Sequence, residues 1–316
     1  MRIILKDKLE IIASEFRRMY YSNLILYFLL SILAMIILIF YMNYKEITLA
    51  YEDYTRVQDL YENEEDMKED LERNDYKMVE ENGTYMVENP ISYYNEQLKS
   101  LLFVNSPDYT LTQIFEAGII FFPIIFGIFG LLLGCADYKT KIIKHKVARV
   151  GRKNYYLSKI STSMITILFF FLIMIIISKI AGIIMYNVIC NKIPVNDFSS
   201  HNLSLSSNVL VQFIFMYFIS IVYSSIGMLI GVLTKGAIRG VVLIAAYAYA
   251  VPVFSKFDLK NSYYFIMDQL CDFYGVIKIS GIKDSSILIS MIIIMGFLIF
   301  TNIATYLVII KRSAYE

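Results

Sequence analysis

The sequence predicts an all-α polytopic membrane protein with six transmembrane helices, an N-terminal interfacial helix, a large external loop between spans one and two, and cytoplasmic termini. Three observations carry this. The 316-residue chain is 57% hydrophobic, where a soluble domain holds about 45–50%. The excess falls in runs of about 15 to 26 residues, the length that crosses a bilayer as a helix. These runs are continuous rather than alternating, which argues against a β-barrel. Lys and Arg, finally, are shared unequally among the segments that join the runs, as the positive-inside rule requires.

Residues 1–23 place Leu5, Leu9, Ile12, Phe16 and Met19 on one stripe, with Lys6, Glu10 and Arg17 elsewhere. This is the pattern of an amphipathic helix lying in the inner interface. Span one covers 24–42, "LILYFLLSILAMIILIFYM". It starts late and ends without a small-residue cleavage site, so it reads as a retained span. Residues 43–113 form an acidic extracellular loop. Between 43 and 112 it has 17 Asp or Glu against six Lys or Arg, and eight tyrosines fall between Tyr51 and Tyr109. Leu49, Val57, Leu60, Met67 and Leu71 are too sparse for a good core. One or two long surface helices are expected there, then a turn at "NGTYMVENP".

Span two is 114–134, and a basic cytoplasmic loop follows at 135–160. Span three is 161–186, with an extracellular loop at 187–208. Span four is 209–233, joined by a short cytoplasmic loop at 234–237 to span five, 238–254, the shortest. In the extracellular stretch 255–285, Tyr263, Ile266, Leu270, Phe273 and Ile277 share one helical face, which predicts a short amphipathic helix or hairpin. Span six is 286–310, and 311–316 is a cytoplasmic tail. The segments on the N-terminal side hold 16 Lys or Arg in under 60 residues, and Arg239 adds one at the edge of span five. The opposite side holds 11 in about twice the length, so both termini are expected inside.

No catalytic constellation is visible. The two histidines, His145 and His201, fall on opposite sides of the predicted membrane, which excludes a His-rich metal cluster in one site. There is no HExxH, no paired Glu inside a span and no phosphate-binding GxxxxGK[ST] loop. An activity that works against a gradient would therefore draw on an ion or a partner. Charges inside spans are few. Glu116 is expected near the outer interface, and Lys179 is expected to reach the outer headgroups, although intramembrane charge also invites a functional role. Cys135, Cys190 and Cys271 read as apolar packing residues; Cys190 and Cys271 both fall outside, and nothing in their spacing argues for a bridge. Gly130 and Gly134, Gly227 and Gly231, and Gly236 and Gly240 are each four apart, which permits close helix contact.

The chemistry-bearing stretch is "KTKIIKHKVARVGRKNYYLSK", residues 139–159, with eight Lys or Arg and no acid. It can anchor on anionic headgroups. It also carries Ile143, Val147 and Val150 at helical spacing, an apolar edge of the kind that inserts into a partner's groove.

With its flanks, "ADYKTKIIKHKVARVGRKNYYLSKI" resembles the first cytoplasmic loop of the permease subunits of bacterial ABC-2-type transporters. Asp137 and Tyr138 match the acidic-aromatic pair, Thr140 the threonine, Arg152 the arginine, and Tyr155, Tyr156 and Lys159 the lead into span three. A lysine precedes Thr140 where glycine is usual, and Gly151 stands for the usual serine. The architectural likeness covers the whole chain; the motif covers about 25 residues. The resemblance implies a bacterial cytoplasmic-membrane exporter subunit that binds no cofactor itself and draws on ATP hydrolysed by a cytoplasmic ABC ATPase. Asp137, Tyr138, Thr140, Arg149, Gly151, Arg152, Lys153 and Lys159 would form the ATPase-coupling loop, with membrane lipid as a secondary contact. A second permease subunit, identical or related, is implied; nucleic acid is not. The acidic, Tyr-rich loop favours a peptide or antimicrobial peptide as the amphiphilic cargo. A permease-like sensor or immunity protein that binds an external peptide without transport is the alternative.

Overall fold

The computed structural model describes residues 2–73, 75–81, 84–140, 142–198, 208–275 and 277–312, with side chains except at 2–9, 79–81, 84–86 and 312. Lys141, His201, Asn82 and Gly83, and the side chains of Leu5 and Leu9, therefore lie outside what is described. Helix α1 (Arg2–Tyr21) ends at a corner where Asn23 adopts a left-handed conformation, φ 57. Asn tolerates this region better than other side-chain-bearing residues. Helix α2 (Leu24–Gln58) is 35 residues long, about 52 Å at 1.5 Å per residue. That exceeds the roughly 30 Å of a hydrocarbon core, so its final turns rise beyond any membrane it crosses.

Those turns are not bare. Ile47, Ala50 and Tyr54 of α2 pack on Ile91, Leu98, Leu101 and Leu102 of α4 (Pro90–Val104) and on Phe198 of a 3-10 turn, Val195–Phe198. A second apolar core thus forms where the sequence looked too poor for one. Leu49 and Leu60 are exposed, as the sparse pattern implied, while Val57, Met67 and Leu71 edge the cluster. Between α2 and α4 lie α3 (Glu64–Arg73) and an antiparallel hairpin, β1 (Lys77–Glu81) with β2 (Thr84–Glu88), in which Lys77 faces Glu88. The Asn89 side chain caps α4 by accepting from the Ser92 N–H at 3.3 Å, and Pro90 occupies the first turn, where its missing N–H costs nothing.

The bundle continues with α5 (Thr110–Lys139), α6 (Ile143–Val150), α7 (Arg152–Cys190), α8 (Val209–Thr234), α9 (Ala237–Ala245), α10 (Leu259–Leu270) and α11 (Ile287–Arg312). Five helices, α2, α5, α7, α8 and α11, are long and apolar enough to cross a membrane. In α5, 67% of the apolar window is buried, against 17% in α11, so α5 is central and α11 peripheral. The α5–α8 contact rests on glycine. A Cβ added at Gly227 would lie 1.9 Å from the Gly127 carbonyl oxygen, and one at Gly130 would lie 1.9 Å from that of Ser224. Only residues without a side chain let two backbones approach this closely.

The fifth apolar run is not a continuous helix over 238–254. Helix α9 passes into a π-helical turn, Ala246–Ala250, and stops. Pro252 explains the stop. It has no N–H to donate, and its ring drives Val251 out of the α region. Val251 is extended, with ψ 116. The carbonyls of Ala248 and Val251 accept instead from Lys260 Nζ at 2.9 and 3.0 Å. The fourteen helical residues Ala237–Ala250 span about 21 Å, short of the roughly 30 Å of a hydrocarbon core. Helix α10 packs one face into the bundle. Leu259, Tyr263 and Met267 are fully buried, and the helix ends at Leu270, so Phe273 and Ile277 reach the core from an irregular segment. The three cysteines are free; Cys190 is exposed and Cys271 is buried.

Candidate functional site

The bundle has two unlike ends. One carries α6 and the junctions of α5 with α6 and α6 with α7; the other carries α3, α4 and the hairpin. At the α6 end a buried ion network joins four helices. It begins with Asp137, fully buried in the last turns of α5. Its Oδ1 accepts from Arg18 of α1 at 2.5 Å and from Lys146 of α6 at 2.9 Å. Its Oδ2 accepts from Lys159 of α7 at 2.6 Å and from the Tyr155 hydroxyl at 2.7 Å. Glu15 of α1 is the second carboxylate. It pairs with Lys146 at 2.8 Å, Lys159 at 3.1 Å and Arg18 at 2.8 Å.

Two acids and three cations leave this cluster at +1. Burial alone pushes the Glu15 carboxyl up, but Lys159 and Arg18 outweigh it and hold the group below its ordinary value. Lys159 is 1% exposed, and beyond the two carboxylates its ammonium has the Leu133 carbonyl at 3.3 Å. Each buried charge is thus paired and hydrogen-bonded, the condition under which an ion cluster is tolerated in an apolar interior.

The eight residues singled out by the sequence divide into two groups. Asp137 and Lys159 meet directly. Tyr138 is buried in a small apolar cluster with Ile143, Val147, Tyr155, Val232 and Ile309. Ile143 and Val147, two of the three residues of the apolar edge of α6, are therefore taken up within the chain, while Val150 stays half-buried outside the cluster. Thr140 is exposed and closes α5, its hydroxyl donating to the Ala136 carbonyl at 3.0 Å. Gly151 joins α6 to α7 with φ 81 and ψ 149, a region open essentially to glycine alone. That conformation is a physical reason for glycine where the resembling loops carry serine. Arg149, Arg152 and Lys153 are exposed, as are Lys144 and His145.

Arg152 and Lys153 occupy the first turn of α7, where the helix dipole disfavours cations. Their charge does nothing for the helix itself and is available to something outside it. The sequence reading missed Glu15, Arg18, Lys146 and Tyr155 as members of the site. A signal existed for one of them. Glu15 stands three residues after Ile12 and four before Met19, a carboxylate inside the apolar stripe of α1.

At the far end, Glu116 is 2% exposed. Its Oε1 accepts from the Tyr109 hydroxyl at 2.5 Å and from the Phe273 N–H at 3.0 Å. Phe273 has φ 49, so the carboxylate braces a strained turn after α10. Thr112 donates to Gln212 Oε1 at 3.1 Å, and Gln212 Nε2 donates to the Leu270 carbonyl at 2.8 Å. Lys179 reaches the loop before α5, where its ammonium meets the Pro107 carbonyl at 2.6 Å. Among the described residues no group of three His, Cys, Asp or Glu side chains is placed to hold a metal ion. Comparison of the chain with family models, with curated proteins and with solved structures returns no match.

Proposed function

We propose that this chain is the membrane-spanning permease subunit of an ABC-2-type exporter, driven by ATP hydrolysed on a separate cytoplasmic ATPase. One observation carries the reading. Helix α6 and the start of α7 present Lys144, Arg149, Arg152 and Lys153 to the surface, while Asp137, Lys146, Tyr155 and Lys159 fasten the same segment to α1, α5 and α7. A partner gripping the exposed charges would move four helices rather than a loose loop. Tyr156 extends the linkage by donating to the Asn302 carbonyl of α11 at 2.8 Å. In this reading the α6 end is cytoplasmic, the membrane is that of a bacterium, and a second permease subunit completes the pathway. The cargo is amphiphilic. The exposed acids of α3 and its approach, Glu62, Glu64, Glu65, Asp66, Glu69 and Glu72, favour a cationic peptide.

The test is co-purification in nanodiscs with a candidate ATPase, comparing wild type with Arg149→Ala/Arg152→Ala/Lys153→Ala. The reading expects a stable complex that dissociates as salt rises, because exposed charge is screened beyond about 8 Å at physiological ionic strength. It expects the triple variant to lose the complex while expression is unchanged. A second reading, a sensor that binds an external peptide without moving it, is favoured by the separate core under the acidic segment, which gives that end a fixed surface of its own. It predicts that the triple variant retains full peptide response.

A further inference from the structure

We infer that Lys260, Tyr223 and Tyr264 form a binding site for the carboxylate head of an anionic amphiphile, in a cavity between α5, α8, α10 and the π-helical turn that ends α9. This does not rest on the transport reading. The cavity measures about 50 Å³, and Pro123, Tyr247 and Tyr249 also line it. Space of that size holds a few water-sized particles, enough for a planar head group. Its place follows from the broken helix. Where an apolar segment is interrupted, the freed backbone must face a partner or a cavity, and polar sites are built there. Lys260 reaches back from α10 to this backbone and donates to the Ala248 and Val251 carbonyls.

The donors say which occupant. An ammonium has three N–H groups and no acceptor, so Lys260 keeps one donor to spare. In contrast to Lys146 and Lys159, it has no ion pair among the described residues. The Asp258 carboxylate is taken up at the start of α10, where Oδ1 accepts from the Lys260 backbone N–H at 3.2 Å and from the Tyr247 hydroxyl at 3.5 Å. Tyr223 is 4% exposed. Yet neither its hydroxyl nor that of the half-buried Tyr264 makes a hydrogen bond among the described residues, and the Tyr223 hydroxyl stays open to the cavity. A buried tyrosine hydroxyl ordinarily finds a partner. The Lys260 ammonium lies 5.8 Å from the centre of the Tyr264 ring, which sets the charge beside the hydroxyls. One positive charge with neutral O–H donors suits one negative charge on acceptor oxygens, and a carboxylate supplies both. A cation here would face the ammonium. A second crevice, of about 30 Å³, shares Tyr223, Tyr247 and Ala248 with the cavity; beyond them it is lined by Ile226, Ile230 and Ile244, and its surface is wholly apolar. A polar cavity joined to an apolar crevice fits a charged head on a hydrocarbon tail.

The test uses the purified full chain in nanodiscs, at a pH that ionises the probe. Apparent Tm is followed as decanoate is added, with decanol and decyltrimethylammonium as neutral and cationic probes of matched chain. Decanoate should raise Tm saturably, and the other two should not. Tyr223→Phe, which removes a single hydroxyl, and Lys260→Met should each raise the half-saturating concentration about tenfold or more, the scale of one lost hydrogen bond to a charged group. Lys256→Met, at an exposed lysine just before α10, should leave it unchanged. Tyr223→Phe keeps the experiment readable where Lys260→Met, which releases two carbonyls, fails to fold. Equal shifts with decanoate and decanol overturn the inference in favour of an apolar crevice alone. The absence of a shift with decanoate overturns it too, as does a titration that survives both variants.

Discussion

At the residue scale the protein separates charge that fastens from charge that faces outward. Asp137 belongs to the first kind. It is the acceptor shared by Arg18, Lys146, Lys159 and Tyr155. Asp137→Asn removes its charge and leaves the buried Lys159 dependent on Glu15 alone. Breaking a buried pair from one side costs about 3–5 kcal/mol, and the loss is read as a drop in apparent Tm at a fixed scan rate. Glu15 supplies the pH dependence. Its carboxyl is held below the ordinary 4.5 in the folded protein, so its contribution is fully present above that value. It is lost as pH falls below 4.5 towards the lower folded value. A Tm–pH series should therefore show wild type weakening in acid, and Glu15→Gln, already weaker at neutral pH, weakening less steeply. The fastening role of Asp137 and Lys159 was not legible from spacing, because they are 22 positions apart and meet only once α5, α6 and α7 have turned back on one another.

At the element scale the packing of α5 on α8 is the most exacting contact. The spacing of Gly130 with Gly134 and of Gly227 with Gly231 was visible in the sequence; the helix each pair would meet, and the part played by Gly127, were not. Gly227→Val places a branched side chain where the Gly127 carbonyl stands 1.9 Å from a Cβ. Overpacking costs about 1–3 kcal/mol where a core can adjust. Here the neighbour is backbone, so the variant should sit at or above that range, seen as a lower Tm and loss of monodisperse protein on size exclusion. The long apolar helices were legible because continuous apolar runs signal spanning segments directly. Helix α9 was misread for a definable reason: the run 238–254 counts Val251, Pro252 and Val253 as apolar, while Pro252 dictates the backbone. The hairpin Lys77–Glu88 had its Asn-Gly turn signal, but its strands are too short and too polar to declare themselves. The core of α2 with α4 went unseen because half of it comes from Ile91, Leu98 and Leu102, some 40 residues further along the chain.

At the scale of the whole molecule, the α6 end is a single mechanical unit. Helices α1, α5, α6 and α7 share one ion network, α8 and α11 join through Val232 and Ile309, and exposed lysines and arginines stand on its surface. The resemblance of the loop to ABC-2-type permeases singles out this segment but says nothing of the division between buried and exposed charge, since composition alone counts every Lys and Arg alike. The measurement that tests the division most directly is parallel thermal unfolding of wild type, Asp137→Asn and the triple Arg149, Arg152 and Lys153 to Ala variant in nanodiscs. The account predicts a large loss of apparent Tm for Asp137→Asn and, for the triple variant, a change within about 0.5 kcal/mol of wild type per site, as for other surface substitutions. Equal losses in the two variants, or an unchanged Tm in Asp137→Asn, would contradict it.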